Sequence, residues 1–197
     1  EENNFKRCLN KMDLSNVIAA IDRAKKIMQR NQENGYTLHQ YKGYQYYNFD
    51  NKKVIDKTFL AAEPFDANGR AIVKSKEEGY SLIDETGKVL TKDVYNQIKY
   101  IGSSYYAVYN ENGTFGILDK DAGEIFPMEY TSLPTEAIVN YDSHDYLILG
   151  KNGRSFVYDI EDEMKEIFSH EGSVTLSEKG YFKVDNQYFT FEGEEIK

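Results

Sequence analysis

The stretch DETGKVL, residues 84–90, has the composition of a tight β-turn that leads into a strand. Asp and Gly are common turn residues, and the Val-Leu pair that follows is typical of a short buried strand. Similar sequences occur at residues 119–126, DKDAGEIF, and at residues 50–55, DNKKVI. The same turn therefore occurs several times along the chain, which indicates a repeated β unit.

Gly87 is predicted to close a hairpin between the strands SLID and KVL with a positive φ angle, which glycine adopts without a steric penalty. Gly123 is expected at the matching position, one residue later because of the additional Ala122. The recurring aspartates are predicted to accept hydrogen bonds from amides of the turn. Clustered oxygen ligands also suit calcium, but the sequence lacks the ligand order of an EF-hand.

Two independent series of residues give the length of the repeat. The first series is the turn aspartates, whose successive members are 34, 35 and 40 residues apart: Asp50, Asp84, Asp119 and Asp159. The second series is four apolar residues near strand ends, whose successive members are 35, 41 and 35 residues apart: Val73, Val108, Leu149 and Val184. Both series lengthen over one stretch, where PTEAIVNYDSHDY, residues 134–146, has the character of an insertion. A repeat of about 35 residues is therefore predicted.

The repeats are predicted to occupy residues 40–197 as four units and a partial fifth, each made of a hairpin and a third antiparallel strand. Because the units are unequal and the 140–148 insertion breaks their rhythm, we expect an open, curved array of mainly β structure in which consecutive units contact each other. A closed propeller-like or barrel-like arrangement is the alternative.

The N-terminal segment, residues 1–39, has a different pattern. Residues 13–34 place Val17, Ile21 and Met28 on one apolar stripe with three-four spacing, which predicts a single α-helix. Its opposite face is basic, as in helices that lie on a membrane surface. We expect the apolar stripe to pack against the β repeats instead.

The repeat resembles the WG (KWG) repeat family, whose pattern combines glycine, an aromatic residue, Ile/Leu-Asp, a turn glycine, Lys/Glu and two apolar residues. The segments NGRAIV at 68–73 and YNQI at 95–98 fit further parts of this pattern. Five residue pairs match the Trp-Gly pair of the family: Tyr46-Tyr47, Tyr80-Ser81, Phe115-Gly116, Ser155-Phe156 and Tyr188-Phe189. None keeps the tryptophan, so the chain resembles a divergent member. The resemblance implies a bacterial type of repetitive β protein that mediates binding.

The composition limits the classes of partner. The chain has a net charge of −9, whereas nucleic-acid binding requires clustered Lys and Arg. No apolar run reaches the length of a membrane span. Cys8 is the single cysteine, which excludes an internal disulfide. The chain starts at EENNFKRC without Met, so both an exported or cell-surface location, after removal of a signal segment, and a cytoplasmic location are left open.

Catalytic and metal sites are not expected from the sequence. The histidines His39, His144 and His170 are too far apart for the short ligand spacing of a typical zinc site. The triplet SHD at 143–145 cannot act as a triad through sequence adjacency alone. The sequence contains no phosphate-binding glycine loop. We therefore predict a non-enzymatic protein that requires neither a metal nor a cofactor for folding.

Tyrosine is the remaining candidate for a binding function, since the chain has 17 Tyr and 11 Phe but no Trp. Tyr105, Tyr106, Tyr109 and Tyr181 lie in predicted strands, where alternate side chains face opposite sides. One side is expected to be core. The other is expected to be either a binding surface or a face whose tyrosine rings fill the space between stacked units. We predict a scaffold that binds another protein, with carbohydrate or cell-wall polymer binding through surface tyrosines as the alternative.

Overall fold

The computed structural model describes residues 37–40, 43–75, 79–177 and 179–196. These residues form seventeen β-strands and no helix. The strands pair antiparallel with their sequence neighbours and build five consecutive sheets, none of which closes into a barrel. The predicted helix at 13–34 lies outside the described residues. Within the described part of the chain, a helix with the length and apolarity needed to cross a membrane is not found.

The first two sheets are small. Sheet 1 consists of β1 (Thr37–Gln40) and β2 (Tyr44–Tyr47). Sheet 2 consists of β3 (Ala61–Ala62), β4 (Arg70–Lys74) and β5 (Tyr80–Asp84). Within sheet 2, β4 and β5 form the hairpin that precedes the repeated turn.

The next three sheets each have four strands in sequence order. Sheet 3 consists of β6 (Gln97–Gly102), β7 (Tyr105–Tyr109), β8 (Phe115–Leu118) and β9 (Glu124–Tyr130). Sheet 4 consists of β10 (Ile138–Tyr141), β11 (His144–Lys151), β12 (Arg154–Asp159) and β13 (Lys165–Glu171). Sheet 5 consists of β14 (Val174–Leu176), β15 (Phe182–Val184), β16 (Gln187–Phe189) and β17 (Glu195–Ile196).

The prediction of tandem antiparallel β units is confirmed, but three of the units have a fourth strand. In sheet 3 the additional strand is β6, which precedes β7 and pairs with it. In sheet 4 the predicted insertion at 134–146 supplies β10, its hairpin turn and the start of β11. The insertion is therefore part of a sheet and does not form a separate loop.

Consecutive sheets pack face to face, and an apolar cluster fills each of the four interfaces. Alternation along a strand divides its side chains between two interfaces. Ala107 of β7 packs towards sheet 4, whereas Tyr106 and Val108 pack towards sheet 2. The expected surface face is therefore absent from sheet 3, because both of its faces are covered, and Tyr106 instead fills the space between stacked units as the alternative expected.

The turn after β5 has the predicted conformation. Gly87 has a φ angle of +80° and its amide donates a hydrogen bond to the Asp84 carbonyl at 2.9 Å. In the corresponding turn of sheet 3, the equivalent amide belongs to Ala122, which has a φ angle of +61°. The predicted match between Gly87 and Gly123 is therefore wrong by one residue, since alanine tolerates the left-handed position here.

Aspartate side chains fix these corners as predicted. Asp84 Oδ1 accepts the amides two and four residues later at 2.9 and 3.0 Å. Asp119 Oδ1 accepts the corresponding two amides, both at 2.8 Å. In the first unit the corner residue is Asn48, which accepts the Lys52 amide, and the predicted Asp50 does not take this position. The repeated turn is thus an Asx corner that an acid or an amide can build.

Candidate functional site

The four tyrosines predicted to form a binding surface do not lie on one surface. Tyr106 is only 1% exposed and packs between sheets 2 and 3, where its hydroxyl donates a hydrogen bond to Asp66. Tyr106 is therefore a core residue rather than a surface residue, and burial, followed by the Asp66 contact, raises its pKa. Tyr105 and Tyr109 are half-buried against the cluster between sheets 3 and 4.

Tyr181 adjoins an exposed aromatic ring, as Tyr106 does beside Tyr100. Its ring meets that of Tyr188 edge-on, with centroids 5.2 Å apart, and Tyr188 is 37% exposed. Tyr188 belongs to a cross-strand row on the outer face of sheet 5 with Thr175, Lys183 and Ile196. All four residues of this row are exposed. Sheet 5 thus has one buried and one solvated face, unlike sheet 3.

A groove of about 650 Å³ lies between the first strands of sheets 4 and 5. Ile138 and Val139 of β10 form one wall, and Leu176 of β14 lies on the opposite side. These three side chains are half-buried, so the groove offers apolar surface that solvent still reaches. Its volume falls in the range of about 300–1,000 Å³ that is usual for ligand sites.

The backbone of β10 borders this groove as an edge strand. The Ala137 carbonyl accepts a hydrogen bond from Ile148 in the neighbouring strand. Because hydrogen-bonding direction alternates along an antiparallel edge strand, the amides and carbonyls of Ile138 and Asn140 point away from β11. Each of these residues therefore presents a backbone donor and acceptor to an incoming chain.

The groove also has an electrostatic preference. Its lining includes Glu136, and none of the described residues around it is Lys or Arg. The whole chain carries a net charge of −9. A positively charged ligand is therefore favoured over a negatively charged one.

A second cluster lies at the end of the β10–β11 hairpin. His144 Nε2 donates a hydrogen bond to Asp159 Oδ1 at 2.7 Å and lies 3.3 Å from Glu161 Oε2. The three possible ligand atoms all lie within 4.8 Å of one another. The His144 ring packs at 4.8 Å on the ring of Tyr146, which limits its rotation.

Asp145 connects this cluster to the hairpin. Its two carboxylate oxygens accept hydrogen bonds from Asn140 Nδ2 at 2.7 Å and from Ser103 Oγ at 2.5 Å. Its backbone amide donates to the carboxylate of Glu161, at 3.1 and 3.2 Å from the two oxygens. Asp145 therefore holds Glu161 next to His144 and ties sheet 3 to sheet 4.

The electrostatics of the cluster follow from its excess of carboxylates. The hydrogen bond to Asp159 is the main cause that raises the pKa of His144, and the nearby carboxylates add to it against a smaller opposing effect of desolvation. Burial alone raises the pKa of Asp159, but hydrogen bonds from His144 and from the corner amides outweigh it and lower the pKa overall. Burial first, then Asp119 and Glu161, raises the pKa of Tyr105.

The triplet at 143–145 does not form a triad in this arrangement. His144 contacts Asp159 and Glu161, while Ser143 occupies the hairpin turn with a φ angle of +65°. Spacing rules missed the actual cluster because its residues are 15 and 17 positions apart in the sequence. The available signal was the single lengthened interval of the repeat, since the insertion at 134–146 supplies His144.

Comparisons with known proteins identify no family. No family model matches the chain, and no curated protein matches it. Similar solved structures include a eukaryotic initiation factor (14% identity, TM-score 0.49, covering 82% of this chain and 53% of that chain). They also include the WD40 β-propeller domain of Doa1 (11% identity, TM-score 0.32, covering 76% and 57%) and a protein of unknown function from Bacteroides caccae (12% identity, TM-score 0.30, covering 82% and 76%). The chain spans about half the length of the initiation factor. These similarities are too low to carry a conclusion about the function of this chain.

Proposed function

We propose that the chain is a non-catalytic binding module that captures an extended segment of a partner protein in the groove between β10 and β14. The observation that carries the proposal is an edge strand with outward-facing backbone groups beside an apolar groove of about 650 Å³. An incoming strand can pair with β10 while its alternate side chains enter the groove, which is the β-addition mode of peptide recognition.

The dimensions and charge of the groove define the partner. The four residues of β10 present about 13 Å of edge, because a strand rises about 3.3 Å per residue. Val139, which faces sheet 5, and Leu176 favour an apolar side chain of the ligand in the groove. The negative charge of the chain and the presence of Glu136 favour a ligand that also carries Lys or Arg.

A protein partner is favoured over a glycan because exposure does not recur at the residue pair that matches the Trp-Gly pair. Sugar binding by a repeat array predicts rings at equivalent positions of successive units. Tyr188 of sheet 5 is exposed, but Phe115, which belongs to the matching pair of sheet 3, is 1% exposed. The exposed tyrosines Tyr100 and Tyr141 lie at other positions of their sheets. Glycan binding through Tyr181 and Tyr188 stays the second candidate.

We infer further that the described sheets form an open array. The outer face of sheet 5 is exposed along the row that contains Lys183 and Tyr188, whereas a closed ring would cover this face with the first sheet. An open stack leaves the groove accessible along its length. The resemblance to WG repeats stays a prediction, and its implied binding role agrees with this proposal.

The test is a selection from a library of displayed ten-residue peptides, followed by affinity measurements by fluorescence anisotropy. Asn140→Pro removes an outward amide, which an edge strand tolerates. Asn140→Ala is the matched control, because it also loses the hydrogen bond to Asp145 but keeps the amide. We expect selected peptides to carry alternating apolar residues with Lys or Arg. Asn140→Pro should lower the affinity for these peptides about five- to tenfold, because it removes a backbone hydrogen bond and adds the bulk of the proline ring. Asn140→Ala should leave the affinity unchanged.

Chemical-shift mapping separates this site from the alternatives. Peptide-induced NMR shifts are expected at 138–141 and 174–177. Equal affinity of the two Asn140 variants, or shifts centred on Tyr181 and Tyr188, would contradict the groove as the binding site. Binding of oligosaccharides with shifts at those tyrosines would support the glycan alternative in its place.

A further inference from the structure

The two places where the repeat becomes irregular meet at one end of sheet 4. The insertion in the third interval provides the β10–β11 hairpin and His144. The corner after β12 is longer than its counterparts, with positive φ angles at two successive residues, Glu163 and Met164. This longer corner provides Glu161, whose carboxylate lies next to His144. Two separate departures from the repeat thus build one cluster of a histidine and two carboxylates.

The distances in this cluster suit a small divalent cation. Bonds of about 2.0–2.1 Å in a tetrahedral zinc site place neighbouring ligand atoms about 3.3 Å apart. His144 Nε2 and Glu161 Oε2 are separated by 3.3 Å, and His144 Nε2 and Asp159 Oδ1 by 2.7 Å. A tetrahedral site then needs the second distance to lengthen by about 0.6 Å. It also needs the carboxylate oxygens of Asp159 and Glu161, which lie within 4.8 Å of each other, to approach to about 3.3 Å by side-chain rotation.

The ligand groups are held in place and reachable from solvent. The hydrogen bonds that Asp159 accepts from His144 and from the corner amides of Glu161 and Asp162 all end on Oδ1. The second oxygen, Oδ2, is outside these bonds. The side chains of His144 and Glu161 are 38% and 44% exposed, so an ion can enter without unfolding of the site.

The charge of the cluster is unbalanced, in contrast to the equivalent corner of sheet 3. There, Arg70 at 2.9 Å and Lys120 at 2.7 Å neutralise Asp121. In sheet 4, no Lys or Arg among the described residues forms a salt bridge with Asp159 or Glu161, and His144 is their ion-pair partner. A divalent cation would offset this excess of negative charge.

We propose that His144, Asp159 and Glu161 bind a first-row divalent cation, with Zn²⁺ as the best fit, and that Asp145 positions Glu161 as a ligand. An imidazole nitrogen combined with carboxylates selects zinc-like ions over calcium and magnesium, which prefer all-oxygen sites. The ion takes the place of the proton on His144 Nε2. It joins the start of β11 to the corner after β12, and solvent fills the fourth position.

Isothermal titration of the whole chain with ZnCl₂, and separately with CaCl₂, tests the site. The parent chain is expected to bind Zn²⁺ more tightly than Ca²⁺. His144→Ala and Glu161→Gln should each weaken Zn²⁺ binding by at least about tenfold, since even indirect losses at metal sites cost about 10–100-fold. Asp159→Asn should do the same while keeping Oδ1 as the acceptor for the corner amides.

His170→Ala is the matched control, because His170 is a second histidine of sheet 4 whose Nδ1 contacts the carbonyl of its neighbour Glu171 at 2.7 Å. This variant should keep the affinity of the parent for Zn²⁺. NMR provides the second measurement, in which Zn²⁺ should shift the ring resonances of His144 in the parent. Absence of Zn²⁺ binding by the parent, or equal Zn²⁺ affinity of the parent and His144→Ala, would overturn the proposal.

Discussion

Two glycines with nearly the same backbone conformation differ in what surrounds them, and this difference separates backbone strain from packing. Gly87 has a φ angle of +80° and Gly113 has a φ angle of +79°. A Cβ atom added at Gly87 would lie 2.6 Å from Cγ2 of Ile55, which is 2% exposed in the core between sheets 1 and 2. A Cβ atom added at Gly113 meets nothing within 4 Å.

The expected free energies of unfolding follow from these two environments. A left-handed conformation costs an L-residue about 1–2 kcal/mol, so Gly113→Ala should destabilise the chain by about that amount. Gly87→Ala adds an overpacking cost of about 1–3 kcal/mol because Ile55 must move. The Gly87 variant should therefore lose about 2–5 kcal/mol in total, a large share of the roughly 5–15 kcal/mol that stabilises a domain.

Urea denaturation followed by circular dichroism measures both variants, and Ile55→Ala completes a double-mutant cycle. In the Ile55→Ala background the clash is absent, so Gly87→Ala should cost no more than Gly113→Ala does in the parent. The coupling energy between positions 55 and 87 should be about 1–3 kcal/mol. Equal losses for the two glycine variants in the parent, or a coupling energy near zero, would refute the packing argument and leave strain as the whole effect.

Two further predictions concern buried hydroxyl groups. The hydroxyls of Tyr130 and Tyr158 form a buried hydrogen bond of 2.8 Å, so Tyr158→Phe should lower the free energy of unfolding in urea by about 1–3 kcal/mol. The variant with both tyrosines changed to Phe should be closer to the parent in stability. A double variant that is less stable than either single variant would contradict this. Tyr106→Phe removes the donor to Asp66 and should cost about 1.5–3 kcal/mol, as expected for a hydrogen bond to a charged group. A loss below about 0.5 kcal/mol, the level of ordinary surface substitutions, would show that solvent replaces that bond.

The repeated corner could be predicted from the sequence because its chemistry is local. An acid or amide at the first position accepts amides a few residues later, as Asp84 and Asp119 do, and no distant residue is needed. The error at Gly123 has the same origin. The turn sequence indicates that one residue adopts a left-handed conformation, and glycine is the expected choice. In sheet 3 that residue is Ala122, and whether alanine can adopt the conformation depends on its surroundings in the fold.

The sequence left open whether Tyr106 is buried between stacked units or exposed, because its burial depends on the neighbours of a sheet rather than on its strands. Alternation correctly places Tyr106 and Ala107 on opposite faces of β7. Whether each face is covered depends on how many sheets stack on it, and sheet 3 lies between two others. In sheet 5 the same alternation leaves Tyr188 exposed. The expectation of one covered and one exposed face therefore holds for sheet 5, where one face is free, and not for sheet 3.

The stacked arrangement also explains why both proposed sites belong to sheet 4 and lie at its edges. A residue in the middle of a strand, such as Leu147 or Ile148, packs against one of the two adjacent sheets and is completely buried, so substitution there disturbs an interface. Strand ends, hairpins and corners do not pack between sheets in this way, so their length can change without disturbing an interface. Sheet 4 contains both changes, a longer first hairpin and a longer corner, and the Asp145 amide links them by its hydrogen bonds to the Glu161 carboxylate. The groove edge and the cation ligands are thus parts of one modified unit within an otherwise regular stack.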